Sequence, residues 1–269
     1  MPLLALALLI VALLLTRAFG PDLVAFRRFR DMAAEPERLG YYRWVLRDLV
    51  LIYGGLSLVA LLATLSPRAI HHPTPEGAIP GTLIAAWPDV DALLAAAQAW
   101  GPMPFLRGAD GAVGPWILIG LAALIILVLL VPIIAIAVRT SDAAQLAALQ
   151  PILPRTNAEL RYGAGTSLAA GIFEEMLFRL GLPAILFGIT GSPWLAFLLA
   201  CVVFGLVHAY QGWGGAVTAG VTGLAFTVLY VSTGSILLCI LVHALIDLRG
   251  MVLIPMLLRR TTANPSATR

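Results

Sequence analysis

The chain has 269 residues, of which 60% are hydrophobic and 12% charged, and its mean hydropathy is +0.95; soluble domains run near 45–50% apolar and about 25% charged. A water-soluble core of this length cannot hide so much apolar surface, and disorder and nucleic-acid binding are excluded on the same numbers. The formal charge of +3 comes from 17 basic residues, all of them Arg, against 14 acidic ones, and in an integral membrane protein their placement matters more than their sum.

A membrane-crossing helix needs about 20 mostly apolar residues. Residues 2–18 form the first such run; its first charge, Arg17, follows the apolar stretch, which predicts an uncleaved anchor with its N-terminus outside. Residues 20–47 carry Arg27, Arg28, Arg30, Arg38, Arg43 and Arg47, the density expected of a cytoplasmic segment with an amphipathic helix lying on the membrane. A second span is predicted at 49–65. The stretch 66–114, rich in Pro and Gly and poor in Arg, is expected outside, with a short surface helix at 91–100. The third span, 115–138, is the most apolar, and Arg139, Arg155 and Arg161 return the chain to the cytoplasmic side. Four more spans follow at 163–189, 193–210, 215–231 and 235–258, joined by tight connections that make them antiparallel neighbours. Arg259 and Arg260 then place the C-terminus in the cytoplasm. The fold class is therefore all-α, a polytopic transmembrane bundle of about seven spans with a catalytic core in the last four. Its expected organisation is an N-terminal membrane part (1–150), a helical core (151–260) and a short cytoplasmic tail (261–269). Cys201 and Cys239 lie inside apolar spans and match no metal or disulfide spacing.

The fourth span contains Glu174, Glu175 and Arg179. Each ionisable group at a helix centre costs about 2.5–3.5 kcal/mol on insertion scales, so the three are expected to face the bundle interior. Glu175 and Arg179, four apart, share a face and suit an ion pair; Glu174 points a quarter-turn away, unpartnered in its own helix. The fifth span ends on Phe204 and His208, again four apart, so the aromatic ring can wall off the imidazole. The seventh holds His243 and Asp247 with the same spacing. Nothing similar marks the first three spans. Glu174, His208, His243 and Asp247 can converge: a carboxylate and an imidazole near one water can take its proton, and a second imidazole with an acidic partner can stabilise an oxyanion. That is acyl hydrolysis without a covalent enzyme intermediate. An inert salt-bridge clamp or a polar glue between helices would use the same residue types.

The ordered set EExxxR, FxxxH and HxxxD on successive hydrophobic helices resembles the CAAX prenyl protease and bacteriocin-processing family, also called Abi or CPBP. The resemblance covers residues 154–257 and includes the lead-in Pro154-Arg155-Thr156-Asn157-Ala158-Glu159. It implies a metal-independent intramembrane glutamic endopeptidase with no cofactor. Glu174 and His208 would activate water, His243 and Asp247 would stabilise the oxyanion, and Glu175, Arg179 and Phe204 would support them. The implied partners are a membrane-associated or lipid-modified peptide or protein substrate and the bilayer of the cell's inner membrane, with no nucleic acid. Two positions depart from the family pattern. Leu180, where Gly is usual, stands between Arg179 and Gly181, and Asp247 stands where Asn is frequent. An ionised Asp cannot donate to an oxyanion, so Asp247 is expected to accept the ring hydrogen of His243 or to be neutral itself. Competing readings are a zinc protease built on His208 and His243, a proton or solute carrier, and a non-catalytic scaffold or immunity-type protein of the same fold.

Overall fold

The computed structural model describes residues 2–64, 88–99, Gly120 and 151–263, so the expected span 115–138 and most of the 66–114 segment lie outside the described residues. Among the described residues every regular element is helical. In chain order they are α1 (Pro2–Phe19), α2 (Pro21–Asp31), α3 (Glu35–Asp48), α4 (Gly54–Ala63), α5 (Pro88–Gln98), α6 (Asn157–Glu175), α7 (Leu182–Thr190), α8 (Pro193–Val207), α9 (Trp213–Thr233), α10 (Ile236–Leu248) and α11 (Ile254–Ala263). Three π-helical turns, Leu49–Tyr53, Met176–Gly181 and Arg249–Leu253, join α3 to α4, α6 to α7 and α10 to α11 without breaking the helical path.

The ends of these helices follow from local chemistry. Thr156 caps α6, its hydroxyl accepting from the Glu159 amide at 3.2 Å. Two tight connections repeat one device. Gly191 (φ 65°) and Gly234 (φ 68°) end α7 and α9 in the left-handed region, and the next residue, Ser192 or Ser235, caps the following helix through its hydroxyl. The chain thus reverses in two residues, which makes α7 and α8, and α9 and α10, antiparallel neighbours.

Among the described residues, four helical stretches are long and apolar enough to cross a membrane: Pro2–Asp31, Glu35–Ala63, Trp213–Thr233 and Ile236–Arg259. Large apolar side chains are turned outward on them, Leu9, Leu51, Val217 and Leu237 each being more than 60% exposed. A surface of that kind is solvated by lipid. The protein is an integral membrane helical bundle. The expected 193–210 span ends earlier, because His208 (φ −91°, ψ 3°) leaves the helix and a single 3₁₀ turn, Ala209–Gln211, carries the chain to Gly212 (φ 94°). The expected fourth span is one helical path from Asn157 to Thr190 that includes a π turn.

Two expectations need correction. The 91–100 helix is not a surface element: it starts at Pro88 and buries Val90, Leu93 and Ala97 in a core cluster with Phe197, Phe226 and Tyr230. The Arg-rich 20–47 segment is two helices docked on the core. Arg38 is fully buried, its Nε 3.1 Å from Glu159 Oε1 while Nη1 and Nη2 each donate at 2.9 Å to the carbonyls of Pro151 and Leu153. Its guanidinium also lies 4.4 Å over the Phe29 ring. Four acceptors and an aromatic face replace water around the cation, which is why a charge counted as cytoplasmic can sit inside. Helix α1 likewise supplies Ile10 and Leu14 to the cluster that holds Leu177, Phe178, Leu182 and Phe204. The N-terminal helices therefore form one wall of the structure around α6.

Candidate active site

Glycine sets the depth of the site. A Cβ on Gly171 would come within 3.0 Å of both the Ala244 amide and the Ile240 carbonyl, so α6 and α10 touch backbone to backbone there. One turn farther along α6, Glu174 and Glu175 meet His243, which lies between Ile240 and Ala244 on α10. The next turn is the π turn Met176–Gly181, which spends one more residue per turn than an α-helix. That extra residue accommodates Leu180, and it is Gly181 that faces α4, where a Cβ would lie 2.7 Å from the Ala60 methyl. The displaced glycine of the sequence motif thus has a local structural basis.

The two glutamates separate as helical geometry requires. Glu175 is fully buried, with Oε2 3.2 Å from Arg179 Nε and Oε1 2.7 Å from His243 Nδ1. Glu174 lies on the cavity wall, its Oε2 3.9 Å from His243 Nε2. Asp247 Oδ2 is 3.7 Å from the same Nε2, too far for a hydrogen bond. This corrects the expected role of Asp247. The carboxylate that accepts the His243 ring hydrogen is Glu175, from the neighbouring helix, while the i,i+4 residue stands beside the ring's open edge.

His208 is fixed from the other direction. Its Nδ1 is 2.8 Å from the Phe204 carbonyl oxygen, which can only accept, so Nδ1 carries a hydrogen and Nε2 holds the lone pair when the ring is neutral. Phe204 stands 4.7 Å from that imidazole between ring centroids. The Arg179 guanidinium lies 5.1 Å over the Phe204 ring and 5.6 Å over Phe226, and Phe226 stacks on His243 at 5.3 Å. Two aromatic rings therefore hold both the arginine and the histidine. Phe226 was not visible in the sequence, where it is one apolar residue among many in α9.

A cavity of about 590 Å³ is lined jointly by Glu174, His208, His243 and Asp247, with Phe204 and Phe226. Glu175 and Arg179 stand behind this wall. A second cavity of about 80 Å³ meets Glu174 and His208 from the side of α1 and α3, and Arg17, Asp22 and Asp48 line it. Arg17 is 2.8 Å from Asp22 and also pairs with Asp48, an ion-pair cluster at the ends of the first two apolar runs. The missed signal was position: Arg17 and Asp48 each stand at the edge of an apolar run, where a charge reads as topology. Among the described residues, no three His, Cys, Asp or Glu side chains are grouped as metal ligands.

Residues 156–249, which contain all of these site residues except those of the N-terminal helices, match the family described as type II CAAX prenyl endopeptidase Rce1-like. Over this segment the chain is similar to that family. It is also 30% identical over 141 residues to the UPF0177 protein YvdC of Lactococcus lactis subsp. lactis (strain IL1403), a match covering 51% of this chain and 51% of that protein. The chain thus spans about half the length of the curated relative it matches. No solved structure matches the chain.

Proposed function

We propose that the protein is an intramembrane endopeptidase that hydrolyses peptide bonds of membrane-associated or lipid-modified substrates with water activated by Glu174 and His208. The observation that carries this reading is the shared cavity: three helices distant in sequence bring a carboxylate, an imidazole with a free Nε2 and a second imidazole with two acidic neighbours to one wall. Water attacks the scissile carbonyl carbon, and its proton passes to Glu174 or to His208 Nε2. The carbonyl oxygen becomes an oxyanion. His243 faces it through Nε2, because Nδ1 is taken by Glu175; to donate there the ring carries both protons, and Glu174, Glu175 and Asp247 surround it with counter-charge. The tetrahedral species collapses as the C–N bond breaks, and the leaving amine takes the proton held by the base. Glu175 and Arg179 act as positioning groups behind the site.

Glu174→Gln tests this reading. Membrane peptides of cells carrying the wild-type chain are compared with those of cells carrying the variant, and cleavage of the responding substrate is then measured with purified protein. The expected loss is about 10²–10⁴-fold, the usual worth of a general base, with an unchanged melting temperature and no effect of chelators on the wild type. Equal cleavage by both proteins overturns the assignment. The orientation proposed with it, α2 on the cytoplasmic side, is read by labelling: Arg30→Cys should react from the cytoplasm and Asp110→Cys from outside. Reaction of both from one side would refute it. Arg30 is the suitable position because it is exposed, whereas Arg38 is buried and both native cysteines are buried.

A further inference from the structure

The smaller cavity lies beside the larger one, and the two share the wall formed by Val45, Leu49, Glu174, His208 and Tyr210. We infer that the smaller cavity is a water reservoir that supplies the attacking water to Glu174 and His208 from the α1–α3 side while a peptide fills the larger one. This rests on the hydrolase reading above. A substrate seated in the larger cavity displaces whatever water is not held elsewhere. Hydrolysis there needs a separate, wetted store that touches the base.

The smaller cavity has the properties such a store requires. Apart from the shared wall, its lining is Arg17, Asp22, Tyr41, Trp44, Asp48 and Tyr53, and every one of these side chains carries a polar atom. Its accessible space, about 80 Å³ against about 590 Å³ for the larger cavity, takes several waters at roughly 10–15 Å³ each. Buried water is stable where two to four polar groups can bond it, and dry cavities are apolar ones. The charges are also satisfied among themselves. Arg17 pairs with Asp22 and Asp48, and Arg47, outside the cavity, lies 3.1 Å from Asp48. Arg17 is held in addition over the Trp44 ring at 5.6 Å. A polar chamber with paired charges opening on a carboxylate and an imidazole is suited to water.

Asp22 offers a clean test, because it lines the smaller cavity and not the larger one. Asp22→Leu and Asp22→Asn both remove the same charge from Arg17, which keeps Asp48. Only Leu replaces a group that can bond water with an apolar one. Millisecond X-ray radiolysis of the full-length protein in nanodiscs labels side chains next to bound water. Trp44 and Tyr53 should be labelled in the wild type and in Asp22→Asn, and protected at least fivefold in Asp22→Leu. In peptide cleavage, Asp22→Leu should lower kcat by tenfold or more with KM unchanged, and Asp22→Asn should restore kcat to within about threefold of wild type. Unlabelled Trp44 and Tyr53 in the wild type would overturn the reservoir outright. Equal kinetics of the Leu and Asn variants, or a change confined to KM, would overturn its role in supply. If the wild type and Glu174→Gln cleave equally little, the hydrolase reading fails and the supply role with it, while the labelling still decides whether the chamber holds water.

Discussion

Helix α6 carries a buried Arg–Glu pair at each end, and the two pairs are built differently. At its start, Arg38 uses its Nε on Glu159 and its two terminal nitrogens on the Pro151 and Leu153 carbonyls, and Glu159 also accepts from the Arg155 amide at 2.8 Å. That pair is saturated. At its end, Arg179 has only Glu175 as a carboxylate partner, and its Nη1 has no hydrogen-bond partner among the described residues. Glu175 Oε1 meets both His243 Nδ1 at 2.7 Å and Arg179 Nη2 at 3.4 Å, while Oε2 stands 3.2 Å from Arg179 Nε without a hydrogen bond. A saturated buried pair fixes a helix terminus and has nothing left to give. An under-satisfied one has capacity to spare, and here that capacity orients a histidine at the cavity. The comparison separates a structural clamp from a positioning one on geometry alone, although both pairs are fully buried.

The strongest way to break this contrast is Glu175→Gln. It leaves Arg179 buried without its counter-charge, a loss of about 3–5 kcal/mol, and it also weakens the hold on His243. Thermal unfolding should show the first effect, and cleavage per folded molecule should fall on the order of 10²-fold for the second. Loss of stability with undiminished cleavage would make Glu175 a clamp like Glu159. Next comes Arg38→Ala, which strands Glu159 and two carbonyls. A similar loss of about 3–5 kcal/mol is expected, but the folded fraction should cleave at the wild-type rate. A large loss of rate per folded molecule would mean that the start of α6 is coupled to its end.

The same two pairs show what could be read from the sequence. Glu175 and Arg179 are four residues apart on one helix, so periodicity alone brings them together. Arg38 and Glu159 are 121 residues apart, and no local pattern joins them. An Arg in a segment dense with Arg reads as solvated, and only the packed tertiary structure, with Phe29 beneath the guanidinium, reveals otherwise. The expected spans 215–231 and 235–258 coincide closely with helices able to cross a membrane, and 2–18 and 49–65 fall largely within the longer stretches Pro2–Asp31 and Glu35–Ala63, because twenty apolar residues in a row have few alternatives. The wetted chamber behind Glu174 was not legible, since it is assembled from span-edge charges in α1, α2 and α3 that are unremarkable one at a time. Contact across helices, as between Glu175 and His243, is likewise invisible to spacing rules that work within one helix.

Asp247 carries the smallest expected effect and the sharpest distinction. Had it been the residue that accepts the ring hydrogen of His243, its conversion to Asn would loosen the imidazole and cost about 10²–10³-fold, like the loss of an oxyanion donor. Glu175 performs that task at 2.7 Å, and Asp247 stands 3.7 Å from the opposite nitrogen with its side chain 36% exposed. What Asp247→Asn removes is therefore one of three counter-charges around His243, and the partly solvated one at that. It also adds an amide hydrogen that can donate at the cavity wall, which offsets part of the loss. The expected result is a fall of about tenfold or less in kcat, corresponding to about 1.4 kcal/mol, with melting temperature unchanged. A fall of 10²-fold or more would show that the ring leans on Asp247 after all, and that Glu175 serves Arg179 alone.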